Sequence, residues 1–173
     1  MQKDRPGGDG WAVFVATLGP VGKCPIAPGT AGSLAGFVAY LLIAFLWMPP
    51  AALYWTLCAV LPLLAVPICH RAETLLGKKD PAEVVLDEFA VAPLCFLGTA
   101  TPSKIDDMGT LEIAAWFLVG FALFRFFDVM KPLGIRASQR MPNGWGVVVD
   151  DVLAALCVCG CLNLGWRWLG LGA

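Results

Sequence analysis

Five carboxylates stand where apolar stretches begin or end: Asp87-Glu88, Asp128 and Asp150-Asp151. Two cations accompany them in the segment Phe124-Arg125-Phe126-Phe127-Asp128-Val129-Met130-Lys131-Pro132. A charge at the centre of a membrane helix costs about 2.5–3.5 kcal/mol on insertion scales, so chains keep such groups where they pair, bind ions or do chemistry. Clustered carboxylates without a Cys/His constellation select a hard, oxygen-loving cation, and Mg2+ is the expected one. Asp87, Glu88, Asp128, Asp150 and Asp151 form the expected metal-binding set. Asp128, Asp150, Asp151, Arg125 and Lys131 are the expected catalytic groups. Two divalent ions would nearly neutralise the five negative charges and leave Arg125 and Lys131 for a substrate anion. Arg125, Asp128 and Lys131 follow one another at i,i+3 spacing, so they share one helix face. The competing reading is that these charges only anchor helix ends at an interface.

A second chemical signal is the run from Gly19 to Ser33, dense in Gly and Pro and ending Pro28-Gly29-Thr30-Ala31-Gly32-Ser33. It reads as a structured loop feeding a helix start. The free N–H groups of such a start attract phosphate, and glycines allow close approach. Gly29, Thr30, Gly32 and Ser33, with Arg125 and Lys131, are the expected substrate-binding residues; the plain alternative makes Thr30 or Ser33 an N-cap without a ligand. The pattern around Lys23 is not a P-loop, because G-x-x-x-x-G-K-[ST] is unmatched there. His70, the single histidine, is of the residue type most used for acid or base catalysis, and equally suits an interface, where the polar loop begins.

The elements that must position these groups are apolar. The 173-residue chain is 58% hydrophobic and 14% charged, with a mean hydropathy of +0.74; soluble domains carry nearer ~25% charged residues. The expected fold is an all-α integral membrane protein, a compact bundle of about five transmembrane or partly spanning helices. Spans are expected at Leu34–Met48, Ala51–Cys69 (kinked by Pro62 and Pro67), Leu111–Met130 and Val147–Leu164, with a shorter one, Val84–Gly98, holding Asp87-Glu88 in its first turn and Pro93 inside. Gly32-x-x-x-Gly36 offers a small-residue face for close helix contact. Residues 1–10 read as a polar N-terminal tail without a cleavable signal peptide, and 11–173 as a single transmembrane domain. Trp11–Leu18 is too short to span and is expected at the interface.

If the tail faces the cytoplasm and all five segments cross, Lys3, Arg5, Lys23, Arg71, Lys78, Lys79, Arg125, Lys131, Arg136 and Arg140 lie inside, against Lys104 and Arg167 outside. That is a strong positive-inside bias. It also puts every candidate site group at the cytoplasmic face. A formal net charge of -1 and the absence of a basic run argue against a nucleic-acid partner. Cys157, Cys159 and Cys161 cannot converge on one ion, because helix residues two apart point about 200° apart.

Four pieces of this sequence resemble the phosphatidylglycerophosphatase A family of bacterial membrane lipid phosphatases. They are Pro25-Ile-Ala-Pro-Gly-Thr-Ala-Gly-Ser33, Lys79-Asp80 before Val-Val-Leu-Asp87-Glu88-Phe, Phe124-Arg-Phe-Phe-Asp-Val-Met-Lys-Pro132, and Gly144-Trp-Gly-Val-Val-Val-Asp-Asp151, within Gly19 to Gly160. The sequence departs from the family at Cys24, where Ser or Thr is frequent, and at Val91, where Gly is frequent. The resemblance implies Mg2+-dependent removal of the terminal phosphate of phosphatidylglycerophosphate in the bilayer, giving phosphatidylglycerol. It places the site at the cytoplasmic face of a bacterial inner membrane, among membrane lipids. Water attack is the expected route, with an aspartyl-phosphate through Asp128 or Asp150 as the other. The rival from a different class is a small ion or metal transporter, since membrane carboxylates also line ion paths.

Overall fold

The computed structural model describes residues 10–132 and 135–170. The tail expected over 1–10 lies, except for Gly10, outside the described residues. Among the described residues the protein is all-helical. A short helix, α1 (Gly10–Ala16), precedes α2 (Pro28–Leu46) and α3 (Ala51–Leu76). Then come α4 (Leu86–Val91), a 3-10 turn at Ala92–Phe96, α5 (Pro102–Ile105), α6 (Thr110–Met130), α7 (Ile135–Ser138) and α8 (Trp145–Trp168). Four of these, α2, α3, α6 and α8, are long and apolar enough to cross a membrane. Together they make the helical membrane bundle that the hydropathy implies.

Two boundaries differ from the sequence expectation. The Pro28–Ser33 run is not a loop before the helix but the opening turns of α2. Pro28 takes the first helical position, where its fixed φ suits the helix and its missing N–H would be unbonded anyway. Likewise α3 does not stop near Cys69. It continues through the polar residues 70–76 and ends at Gly77, which caps it in the left-handed conformation, φ +66°.

The segment expected as a short span, Val84–Gly98, is a six-residue helix followed by the 3-10 turn. It passes through the middle of the bundle rather than along its outside. Val85, Val91, Ala92, Cys95 and Phe96 are fully buried. Phe96 stacks on Phe117 at 4.4 Å and on Tyr40 at 5.3 Å, inside an aromatic core that includes Phe37 and Phe124. Non-helical backbone at membrane depth is tolerated only where protein satisfies its polar groups. Here the other elements do so: Tyr54 Oη donates to the Pro93 carbonyl (2.8 Å), Asn163 Nδ2 to Leu97 (2.6 Å), Lys104 Nζ to Gly98 (2.7 Å) and Tyr40 Oη to Ala100 (2.7 Å).

Close approach of this segment to α2 depends on missing side chains. A Cβ at Gly32 would overlap Val85, and one at Gly36 would lie 2.8 Å from the backbone of Phe89. The expected Gly32/Gly36 face is therefore the seam along which the buried segment lies. It delivers Asp87 and Glu88 to one end of the bundle and Leu97 to the other, beside Asn163 near the end of α8.

Candidate active site

Helix termini supply the site. The start of α2, the end of α6, the start of α4 and the first turns of α8 meet at one end of the bundle around a cavity of about 300 Å3. Gly29 and Thr30 form one wall, and the N–H groups of a helix's first turn have no intrahelical acceptor. Asp87 and Glu88 come from α4, Arg125 and Asp128 from α6, and Asp150 and Asp151 from α8, with Lys131 just past α6.

Arg125 is the hub. Its Nη1 donates to Asp128 Oδ2 at 2.7 Å, to Glu88 Oε2 at 3.2 Å and to Ser33 Oγ at 3.0 Å. Ser33 Oγ also reaches the Glu88 carboxylate and the Gly29 carbonyl, the latter at 2.8 Å. The i,i+3 pair expected from sequence is thus made, and it is tied to α2 and α4 through one serine.

Lys131 pairs with Asp150 and lies 3.7 Å from Asp128 Oδ1. It caps α6 in the left-handed region, φ +44°, its N–H bonded to the Phe127 carbonyl. A non-glycine residue held there costs about 1–3 kcal/mol and persists where the surroundings demand it. Burial works against the Lys131 charge, but the Asp150 hydrogen bond and the charges of Asp150, Asp128 and Asp151 outweigh it, raising its pKa above the ordinary lysine value.

The carboxylates fall into two groups. Glu88, Asp128 and Asp150 are paired with the two cations. Asp87 and Asp151 are 4% and 3% exposed, and neither has a cation partner among the described residues. Asp87 Oδ1 has no hydrogen-bond partner among the described residues. A buried oxygen left so is costly unless something satisfies it. The donors are all oxygen, which fits a hard divalent cation such as Mg2+. No three of the described His, Cys, Asp or Glu side chains converge as a ready ligand set.

Not every residue expected at the site lines the cavity. Gly32 packs against Val85, and Ser33, fully buried, acts through Glu88 and Arg125 rather than as a wall or an N-cap. His70 is exposed and lines a separate depression with Gly144 and Lys78. Cys24 also lies off the wall; the N–H groups of Ala27 and Ile26 lower its thiol pKa from the ordinary value. Among the charged wall residues, the sequence reading gave no role to one, Asp80, which it quoted only within the Lys79-Asp80 piece of the resemblance. Its signal was present in the Lys79-Asp80-Pro81 turn seven residues before Asp87.

A sequence model of the phosphatidylglycerophosphatase A family matches residues 14–166. A Bacteroides thetaiotaomicron protein, provisionally named a phosphatidylinositol-3-phosphatase, is 35% identical over 83% of this chain and 86% of its own. The phosphatidylglycerophosphatase A of Haemophilus influenzae is 36% identical over 75% of this chain and 73% of its own. That of Escherichia coli is 31% identical over 91% of this chain and 85% of its own. No solved structure matches. The match spans every element that builds the cavity, and on that ground the chain belongs to the phosphatidylglycerophosphatase A family of membrane phosphatases.

Proposed function

We propose that the protein hydrolyses phosphatidylglycerophosphate to phosphatidylglycerol and phosphate, using Mg2+, at the cytoplasmic face of a bacterial inner membrane. The observation that carries this reading is one cavity holding two fixed cations beside a buried carboxylate oxygen that has no hydrogen-bond partner among the described residues. Asp87 and Asp151, with water and the cation-paired carboxylates around them, would hold the metal. A divalent ion there supplies polarisation of the phosphoryl oxygens and a lowered pKa for water.

The chain's own residues do the rest. Arg125 is oriented by Asp128, Glu88 and Ser33 before any substrate arrives, so its charge needs no rearrangement to meet the phosphoryl oxygens. Lys131 offers a second, point-like charge from the opposite side of Asp128. Water attacks phosphorus, the bond from phosphorus to the glycerol oxygen breaks, and the leaving oxygen takes the water's proton by way of the wall. A wall carboxylate accepts the proton that the water gives up. The first turn of α2 at Gly29 and Thr30 favours the phosphate's negative charge. The carboxylates gather at one end of the bundle rather than along a path through it, which counts against ion transport.

The name of the Bacteroides relative favours a second reading, a phosphoinositide monophosphate as substrate in the same cavity. The test is phosphate release by the purified protein in mixed micelles of either lipid, with Mg2+ and after thorough chelation. Release from phosphatidylglycerophosphate that needs Mg2+ is expected. Activity surviving chelation removes the metal from the scheme, and release from the phosphoinositide alone reassigns the substrate.

A further inference from the structure

The turn after α3 places one more carboxylate on the cavity wall. Past Gly77 the chain reverses through Lys78, Lys79 and Asp80, and two ties fix it. The Asp80 N–H donates to Glu73 Oε1 at 2.8 Å, and Lys79 Nζ to the Gln139 carbonyl at 2.7 Å. Asp80 itself sits in the left-handed region, φ +50°. Its carboxylate has no cation partner among the described residues, although two lysines precede it.

Asp80 therefore faces the cavity unneutralised, near enough to Asp87 and Asp150 for its charge to act on both. The wall then carries Asp80, Asp87, Glu88, Asp128, Asp150 and Asp151 against Arg125 and Lys131, a formal charge of −4. A phosphomonoester dianion cannot settle there without added positive charge. The Arg125 and Lys131 half is already matched to Glu88, Asp128 and Asp150. Most of the excess negative charge lies with Asp80, Asp87 and Asp151, and Asp87 Oδ1 has no hydrogen-bond partner among the described residues.

We propose that Asp80 and Asp87 together form a divalent-cation subsite on the loop side of the cavity. The inference rests on the metal reading above and adds to it a ligand from a polar turn outside the bundle. Two carboxylates are enough for a magnesium-type ion, whose remaining positions are filled by water and substrate phosphate.

The test is Mn2+ binding to the full chain in detergent, followed by loss of the free-ion paramagnetic signal. Wild type, Asp80→Asn, Asp87→Asn, the double variant and Glu83→Gln are compared without substrate. Asn adopts the left-handed conformation as Asp does, so Asp80→Asn keeps the turn. The expected result is one fewer Mn2+ per chain, or about tenfold weaker binding at one site, in Asp80→Asn. The double variant should lose no more than Asp87→Asn alone, because both residues serve one ion. Glu83→Gln, whose side chain is off the wall, should bind as wild type does. Wild-type binding by Asp80→Asn, or additive losses in the double variant, overturns the shared subsite while leaving the metal reading intact. A wild-type chain that binds no Mn2+ overturns both.

Discussion

Arg125 and Lys131 carry the same charge but are held differently, and that difference sets what each substitution should do. Arg125 Nη1 alone meets acceptors from α2, α4 and α6, so the other N–H groups of the planar guanidinium can meet a phosphate through two parallel bonds, which a lysine cannot do. Arg125→Lys should therefore keep the charge and still lower kcat about 100-fold. Lys131 acts as a point charge between two carboxylates, so Lys131→Arg should fall only about tenfold. Both are read as kcat and KM in mixed micelles at saturating Mg2+; equal losses would mean that geometry at Arg125 does not matter. These residues were legible in the sequence because a charge inside an apolar run stands out. Asp80 was quoted with the family resemblance but given no role, since a carboxylate in a polar turn after two lysines looks like ordinary surface. Ser33 was read as a phosphate binder or a cap; only the fold reveals that Glu88 and Arg125 converge on it.

At the scale of elements, α2 works as both wall and track. Its first turn borders the cavity, and Gly32 and Gly36 let the buried segment lie flush against it. Gly36→Val should overpack this seam and cost roughly 1–3 kcal/mol, seen as a lower unfolding temperature in detergent together with lost activity, because Asp87 and Glu88 ride on the displaced segment. Gly160→Ala on α8, where an added Cβ meets nothing within 4 Å, should leave both unchanged. If Gly36→Val behaves like Gly160→Ala, the seam has slack. Hydropathy alone located the four long helices, because a 20-residue apolar run has few other uses. It could not resolve the break after Val91, nor the helical start at Pro28. Both depend on partners distant in sequence: tyrosines and an asparagine that satisfy freed carbonyls, and a valine that fills the space over a glycine.

The molecule as a whole has two unlike ends. Lys104 lies 5.1 Å from the Trp166 ring centroid, next to Arg167, so the two cations assigned to the outer side in the sequence share the end opposite the cavity. Single cysteines in a background without the native seven test the orientation. Lys78→Cys and Arg140→Cys should react with an impermeant maleimide only after the membrane is opened, and Asp107→Cys should react in intact cells. The reverse pattern would turn the cavity outward. The buried segment also bears on how such a protein is made. Four helices can each leave the translocation machinery for lipid on their own hydrophobicity. The 84–98 stretch, with two acids and a broken backbone, cannot. It has to be drawn inward as the later helices close around it, since Phe117, Asn163 and the α8 carboxylates all follow it in the chain. A nascent chain halted before α8 would lack Asp150 and Asp151, so on the proposed function it should show no phosphatase activity until the last helix is in place.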